Sequence, residues 1–397
     1  MHRITLILLL LLLLPDMYIY FVHIVRRTKR LLWRALYWLP SAVLAAVYVY
    51  YIYLGGDNPL SDHTQGIGRM AIAVMALAAP KLVFMLCSLV GVGVHYAVRI
   101  CPRWPFTAVG AVLAAVSFCN ILYGCFYGIK RLEVKEVEYC STRIPEGFDG
   151  YRIVQLSDLH TGSWETPEVL ERLVKLVNAQ SPDLIVFTGD LVNQQSHELD
   201  PFKATLSRLY APDGVYSILG NHDYGTYYRW RTPGEEKANL QYLIRQQSEM
   251  GWHMLNNAHA ILHHRGDSIA LIGVENDGEP PFSQYADLPR AMQGTEGLFC
   301  ILLSHNPTHW RRQVLPESDI DLMLAGHTHA MQMEMLGHSI ASLKYPEWSG
   351  MYHANVRGKE KSLYVNVGIG YVGLPFRFGA WPEITVLKLV RKDTEAE

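Results

Sequence analysis

Five short clusters in the second half of the chain concentrate its reactive side chains: Asp158-Leu159-His160, Gly189-Asp190, Gly220-Asn221-His222-Asp223, Ser304-His305 and Gly326-His327-Thr328-His329. They offer carboxylate oxygens, imidazole nitrogens and an amide carbonyl. That donor set suits divalent first-row metals such as Mn, Fe or Zn, whereas all-oxygen sites suit Mg or Ca. Together the clusters supply every residue needed to hold two metal ions side by side.

Each cluster follows a run of apolar, often β-branched residues, at 152–156, 183–187, 215–219, 299–303 and 322–325. Such runs read as strands, which places the polar residues at strand ends, where open α/β sheets build their sites. From Tyr151 onward strand and helix patterns alternate. The helix after the first cluster is well signalled: Thr166 can cap, Pro167 sits in the first turn, Glu168 follows, and Val169, Leu170, Leu173, Val174, Leu176 and Val177 make an apolar face. Further helices are expected near 198–210, 234–250 and 306–314, and strands at 331–336, 362–367 and 383–389. Gly189, Gly220 and Gly326 leave room for tight turns where the strands end.

At 397 residues the chain exceeds one typical domain, and its first 128 residues are overwhelmingly apolar while the rest has an ordinary soluble composition. A net charge of −2 gives no broad basic field, so nucleic acid is not expected as a partner. Four cysteines (Cys87, Cys101, Cys119, Cys125) lie in or beside apolar segments and two (Cys140, Cys300) in the second half, with no disulfide framework or zinc-type CxxC spacing.

Apolar runs at 4–25, 35–54, 70–98 and 106–127 each reach the roughly 20 residues that span a bilayer, and four transmembrane helices are expected. Arg3 before a leucine run could open a signal peptide instead. The bulky Met17-Tyr18-Ile19-Tyr20 after Pro15 and Asp16 offers no small-residue cleavage site, which favours a retained anchor. Arg26, Arg27, Lys29, Arg30 and Arg34 crowd the first connection and Arg99 and Arg103 the third, so both are expected in the cytoplasm of a multi-pass protein of the cytoplasmic membrane. An even number of crossings then leaves the second half outside the cytoplasm, against which Lys130 and Arg131 argue weakly. Asp16 and Lys81, each after a proline, fall near mid-membrane, where an unpaired charge is costly; an Asp16–Lys81 ion pair is expected.

The ordered series DxH, GD, GNHD, a single His and GHxH, met here in full, resembles the calcineurin-like metallophosphoesterase superfamily from about Tyr151 to the C-terminus. The resemblance implies an α/β fold: a four-layer α/β/β/α sandwich, preceded here by the bundle of four transmembrane helices. The expected domains are 1–128, a transmembrane region; 129–148, a connector or first edge strand; and 149–397, the metallophosphoesterase domain. It further implies that Asp158, His160, Asp190 and His329 bind one divalent ion and Asp190, Asn221, His305 and His327 the other, with Asp190 bridging. Two ions roughly 3.5 to 4 Å apart support in-line attack of a bridging hydroxide at phosphorus. His222 would then protonate the leaving oxygen or stabilise the transition state, with Asp223 either orienting it or serving its turn.

The stretch GHTHAMQ, with Tyr364-Val365-Asn366-Val367-Gly368-Ile369-Gly370, Pro375-Phe376-Arg377 and Pro382-Glu383-Ile384, is similar to the membrane-associated bacterial YkuE/YaeI-like phosphodiesterase branch. Ala330 and Met331 stand where that branch usually has two glycines. The implied substrate is a phosphodiester or pyrophosphate, on a cell-envelope or lipid-linked molecule beside the lipid bilayer. Arg377, Tyr224 and Trp230 are candidate substrate contacts, each also explicable by packing or pairing. One alternative is a pyrophosphatase acting on UDP-2,3-diacylglucosamine in lipid A synthesis. Another, of a different class, is a non-catalytic membrane sensor or scaffold, for which the complete ligand series speaks poorly.

Overall fold

A computed structural model describes residues 2–392, the side chains of 2–9, 52, 54 and 60 excepted. The chain divides into two units, Met1–Gly128 with Gly373–Phe376, and Ile129–Val372 with Arg377–Glu397.

The first unit is helical: α1 (His2–Ile19), α2 (Leu31–Val49), α3 (Thr64–Ala97) and α4 (Trp104–Phe126). Among the described residues, Leu31–Val49, Thr64–Ala97 and Trp104–Lys130 are long and apolar enough to cross a membrane. The side chain of Arg3, on which the signal-peptide alternative turns, lies outside the described ones. Prolines interrupt the backbone ladder at Pro15, Pro40 and Pro80. The expected ion pair is present: Lys81 Nζ lies 2.5 Å from Asp16 Oδ1. Tyr37 donates to the same oxygen at 2.9 Å, and Ser41 donates to Oδ2. One fully buried carboxylate thus ties α1 to α2 and α3. A buried carboxylate left unpaired is costly, which accounts for both oxygens of Asp16 being partnered.

The second unit stacks two six-stranded sheets. In the first, β1 (Glu133–Ser141) pairs parallel with β12 (Glu383–Arg391), which runs antiparallel to β2 (Arg152–Leu156); β3 (Leu184–Phe187), β4 (Val215–Ser217) and β5 (Trp252–Met254) continue in parallel. The second has the order β10 (Gly350–Val356), β11 (Lys359–Val365), β9 (Leu322–Ala325), β8 (Phe299–Leu303), β7 (Asp267–Gly273) and β6 (Ala258–His264). Central strands are buried on both faces, hence their unbroken apolar sequences. Leu184 and Val186 of β3 point between the sheets with Ile301 and Leu324, while Ile185 and Phe187 face the covering helices. The outer layers are α5 (Glu168–Ala179) and α6 (Pro233–Glu249) on one side and short turns around Trp310 and Leu288 on the other. Each fully buried Leu or Ile contributes about 1.5–3 kcal/mol over an exposed one.

Of the two readings of 129–148, the edge strand holds: its alternating valines let Glu133–Ser141 join the sheet beside β12. Other local expectations need correction. Thr166 does not cap α5; Pro167 occupies that position without a side-chain bond. The helix expected at 198–210 breaks into Ser196–Leu199 and Lys203–Leu206, with Pro201 between them. The strand expected at 331–336 is absent, because Met331, Gln332 and Leu336 adopt left-handed backbone angles that no strand accommodates.

Candidate metal centre

The ends of β2, β3, β4, β8 and β9 deliver the five motif clusters to one place. The backbone there is strained: Asp158, His160, Asp190, His327 and His329 all have positive φ, between 45° and 74°. Non-glycine residues in that region cost about 1–3 kcal/mol each and persist only where their surroundings enforce them. Two glycines permit the approach. A Cβ on Gly326 would collide with Ser157 and Asp158, and one on Gly220 with Asp190.

Two donor groups result, Asp158 with His160 and His329, and Asp190 with His305 and His327. Within the first, His329 Nε2 is 3.2 Å from Asp158 Oδ1 and 3.1 Å from His160 Nε2. Within the second, His305 Nε2 lies 3.1 Å from Asp190 Oδ2, 3.2 Å from Asn221 Oδ1 and 3.3 Å from His327 Nδ1. Asp190 Oδ2 is also 3.7 Å from His160 Nε2, so this carboxylate faces both groups.

The donors fit divalent cations. Asp158 Oδ2 accepts from the Ser157 hydroxyl at 2.5 Å and the His327 amide at 3.0 Å, while Oδ1 is buried with no hydrogen-bond partner. Asp190 Oδ1 accepts from the His222 amide at 2.8 Å, leaving Oδ2 turned toward the imidazoles. Each carboxylate is therefore anchored through one oxygen and presents the other. Protonation states agree at Asp158, His160, Asp190 and His327. Burial first, then the neighbouring imidazoles, holds His160 well below its ordinary range and His327 at about 3, so both rings are neutral. Burial alone would raise the two carboxyls, but His329 beside Asp158 and His305 beside Asp190 hold both below the usual carboxylate range. Burial pulls His305 down, but the charge and hydrogen bond of Asp190, the charge of Asp158 and the Thr188 carbonyl together lift it to about 9, so this ring holds a proton that a cation would have to displace. Ionised carboxylates and neutral imidazoles are the forms a cation requires.

His222 stands beside the first group, its ring edge-on to His160 with centroids 4.9 Å apart. Its Nδ1 is 2.7 Å from the Asn193 carbonyl oxygen, which only accepts, so Nδ1 carries the hydrogen and Nε2 is the free nitrogen of the neutral ring. Asn193 is itself fixed by its amide donating to Glu198 at 2.5 Å. The Asp223 carboxylate is committed elsewhere than the His222 ring. It collects the amides of Gly220, Asp190, Leu191 and Val192, knitting two motif loops together.

Residues 151–331 match the family described as calcineurin-like phosphoesterase, and residues 2–129 match the one described as the transmembrane domain of probable calcineurin-like phosphoesterases. The chain is similar to the uncharacterized metallophosphoesterase YkuE of Bacillus subtilis (strain 168), 34% identical over 270 residues covering 65% of this chain and 85% of YkuE. The chain belongs to the calcineurin-like phosphoesterases. It also resembles the transmembrane protein with metallophosphoesterase domain of Danio rerio, 32% identical over 292 residues that cover 71% of this chain and 62% of the relative. The Bos taurus protein of that description is 33% identical over 264 residues, covering 64% and 56%. The chain thus spans less than two thirds of the length of these two animal relatives.

Three side chains at the calcineurin-like centre escaped the sequence reading as contacts. Tyr345 places its hydroxyl 3.0 Å from His327 Nε2, and Phe282 meets the same imidazole edge-on at 4.6 Å. The Tyr227 hydroxyl accepts from the Asn221 amide at 3.0 Å while its ring covers His222 at 4.5 Å. Tyr227 belongs to an aromatic stretch visible in the sequence; nothing local marks Tyr345 or Phe282, which arrive on irregular loops.

Of the three candidate substrate contacts, Arg377 is corrected, and the polar atoms of Tyr224 and Trp230 have partners within the protein. Tyr224 is buried, with its hydroxyl between Glu275 and the Asn276 amide. Trp230, half-buried, donates to the Gly225 carbonyl and meets the Tyr228 ring at a tilt of 52°. Arg377 is fully buried and donates to the carbonyls of Gly370, Ala380 and Val367, and the Nη2 that serves Val367 also lies 3.0 Å from His329 Nδ1. It braces the loops behind His329 and is closed to a substrate.

Proposed function

We propose that this protein is a membrane-anchored phosphoesterase of the dinuclear-metal type, hydrolysing a phosphodiester or pyrophosphate on a lipid-linked or cell-envelope substrate. The observation that carries the reading is the sharing of Asp190 between the two donor groups. Asp158, His160, Asp190 and His329 would hold one divalent ion, and Asp190, Asn221, His305 and His327 the other. Bound there, the ions would supply an activated water and charge neutralisation on the phosphoryl oxygens.

The chain's own residues do the rest. His222 presents Nε2 to the site because Asn193 occupies Nδ1. A proton carried at Nε2 is placed for delivery to the departing oxygen, a role that typically contributes about 10²–10⁴ in rate. Tyr227 fixes both His222, by its ring, and Asn221, by its hydroxyl. When His327 turns Nδ1 to a cation its Nε2 carries the hydrogen, so Tyr345 accepts there and keeps its own hydroxyl hydrogen free for the substrate. The cationic first and third connections support a location in the cytoplasmic membrane with this domain outside the cytoplasm.

The test is hydrolysis of bis-p-nitrophenyl phosphate by the full chain in detergent, stripped of metal and then resupplied with Mn, Zn, Fe or Mg, alongside UDP-2,3-diacylglucosamine. Activity that returns with a divalent ion supports the reading. Preference for the lipid nucleotide would move the substrate to lipid A chemistry and overturn the extracytoplasmic placement. No hydrolysis of either, with metal bound, would favour a sensor or scaffold.

A further inference from the structure

Among the described residues of the sheet unit, exposed large aliphatic side chains are confined to Val372 and the segment 331–343. Leu336 is 92% and Leu343 89% exposed, and Met331, Met333, Met335 and Ile340 project beside them. The segment is built to hold them out. Ser339 Oγ donates to the Ala330 carbonyl at 2.5 Å, the Glu334 amide to the Phe378 carbonyl at 2.8 Å, and the Met335–His338 turn closes on itself. Left-handed backbone at Ala330, Met331, Gln332 and Leu336 adds strain that a segment free to relax would shed. The Val372 amide donates to Gln332 Oε1 at 2.7 Å, so the outlying aliphatic residue adjoins the same surface. An apolar surface of this kind, kept exposed at a cost, marks an interaction site.

We infer that the 331–343 segment is a bilayer-interface element that seats the calcineurin-like domain on the lipid surface and presents the phosphoester head of a bilayer-resident amphiphile to the metal centre. The inference rests on the proposed phosphoesterase reading for the second half of that statement only. The lipid is favoured over a protein partner because the segment presents Met, Leu and Ile with no Arg and a single charge, Glu334, and so lacks the cationic anchor that protein interfaces favour. Lys344, exposed at the end of the segment, suits an anionic headgroup layer. The sheet unit is also tethered covalently to the membrane-spanning one. Residues 127–132 alone join the last helix to β1, a path of at most about 22 Å. The segment is wired to the chemistry at both ends: it starts next to His329 and stops next to Tyr345, whose hydroxyl touches His327.

The deciding experiment places the photoreactive residue p-benzoylphenylalanine at Leu336, at Leu343 or at the exposed Tyr210, in the full chain in phosphatidylglycerol nanodiscs, and weighs the adducts after irradiation. Phospholipid adducts at Leu336 and Leu343 and none at Tyr210 are expected. Adducts to a second protein copy, or none with lipid, would overturn the inference. A companion variant, Leu336→Ser with Leu343→Ser, should keep bis-p-nitrophenyl phosphate hydrolysis within about twofold while KM for a nanodisc-borne phosphodiester rises at least tenfold. Adducts without hydrolysis of any phosphoester would leave the interface standing and remove the catalytic reading. Hydrolysis of lipid by parent and variant alike, without adducts, would do the reverse.

Discussion

The carbonyl oxygen of Asn193 lies 2.7 Å from Nδ1 of His222, and this one contact decides which nitrogen of that imidazole faces the metal centre. The ring is backed by Tyr227 on one side and His160 on the other. His222 has its hydrogen-bonded nitrogen outside the two donor groups, whose atoms come from other side chains.

His222→Ala should therefore leave metal content per chain unchanged, because the ligand atoms remain, while kcat on a diester with a poor leaving group falls about 10²–10⁴-fold. Loss of metal together with rate would assign His222 to the ligand set.

Asp190→Asn should lose both metal and activity. The amide can still accept the His222 N–H, so folding survives, but the charge facing both donor groups is gone. Metal analysis of the purified variant checks this, and a protein that retains two equivalents would refute the bridging role.

Tyr345→Phe removes the partner of a His327 ring nitrogen without changing volume appreciably. Outer hydrogen bonds of this kind are worth about 10–100-fold in metal affinity or activity. Titration of metal-stripped protein should show weaker binding at one of two sites, with the thermal midpoint of the metal-free protein nearly unchanged.

Arg377→Met should act as a structural lesion. It leaves the carbonyls of Gly370, Ala380 and Val367 without their donor, at about 1–3 kcal/mol per unsatisfied buried group. The expected result is a lowered thermal midpoint with KM of the surviving enzyme unchanged; a raised KM at full stability would restore Arg377 as a substrate contact.

Asp16→Asn and Lys81→Met should each destabilise the helical unit, whereas the double variant should be less destabilised than the sum, since breaking a buried pair strands the remaining charge. Detergent-resistance midpoints of the three proteins measure the coupling. Additivity would show that the contact is incidental.

The site was legible in the sequence because its residues sit at strand ends in fixed order: Asp158, Asp190, Asn221, His305 and His327 each follow a buried apolar run. The alternation of Leu184 and Val186 with Ile185 and Phe187 likewise announced a strand covered on both faces. What failed was local inference about loops. Arg377, Tyr224 and Trp230 look like surface recognition residues by type, and only tertiary contacts show their polar atoms already satisfied. The alternating Met331-Gln332-Met333-Glu334-Met335 carries a strand's period, yet its neighbours fix left-handed angles that period cannot reveal. Tyr345 reaches His327 across a gap of 18 residues that no periodicity spans.

The Asp16 carboxylate also imposes an order on biosynthesis. Its counter-ion lies 65 residues later in the chain, and Tyr37 and Ser41 are encoded between the two. While the chain emerges, the first hydrophobic helix meets its hydroxyl donors on the second and its cation only with the third. Membrane integration of this bundle should therefore be collective, an early helix awaiting neighbours yet to be translated, and a chain truncated before Lys81 should be a poor integrant and a ready target for quality control.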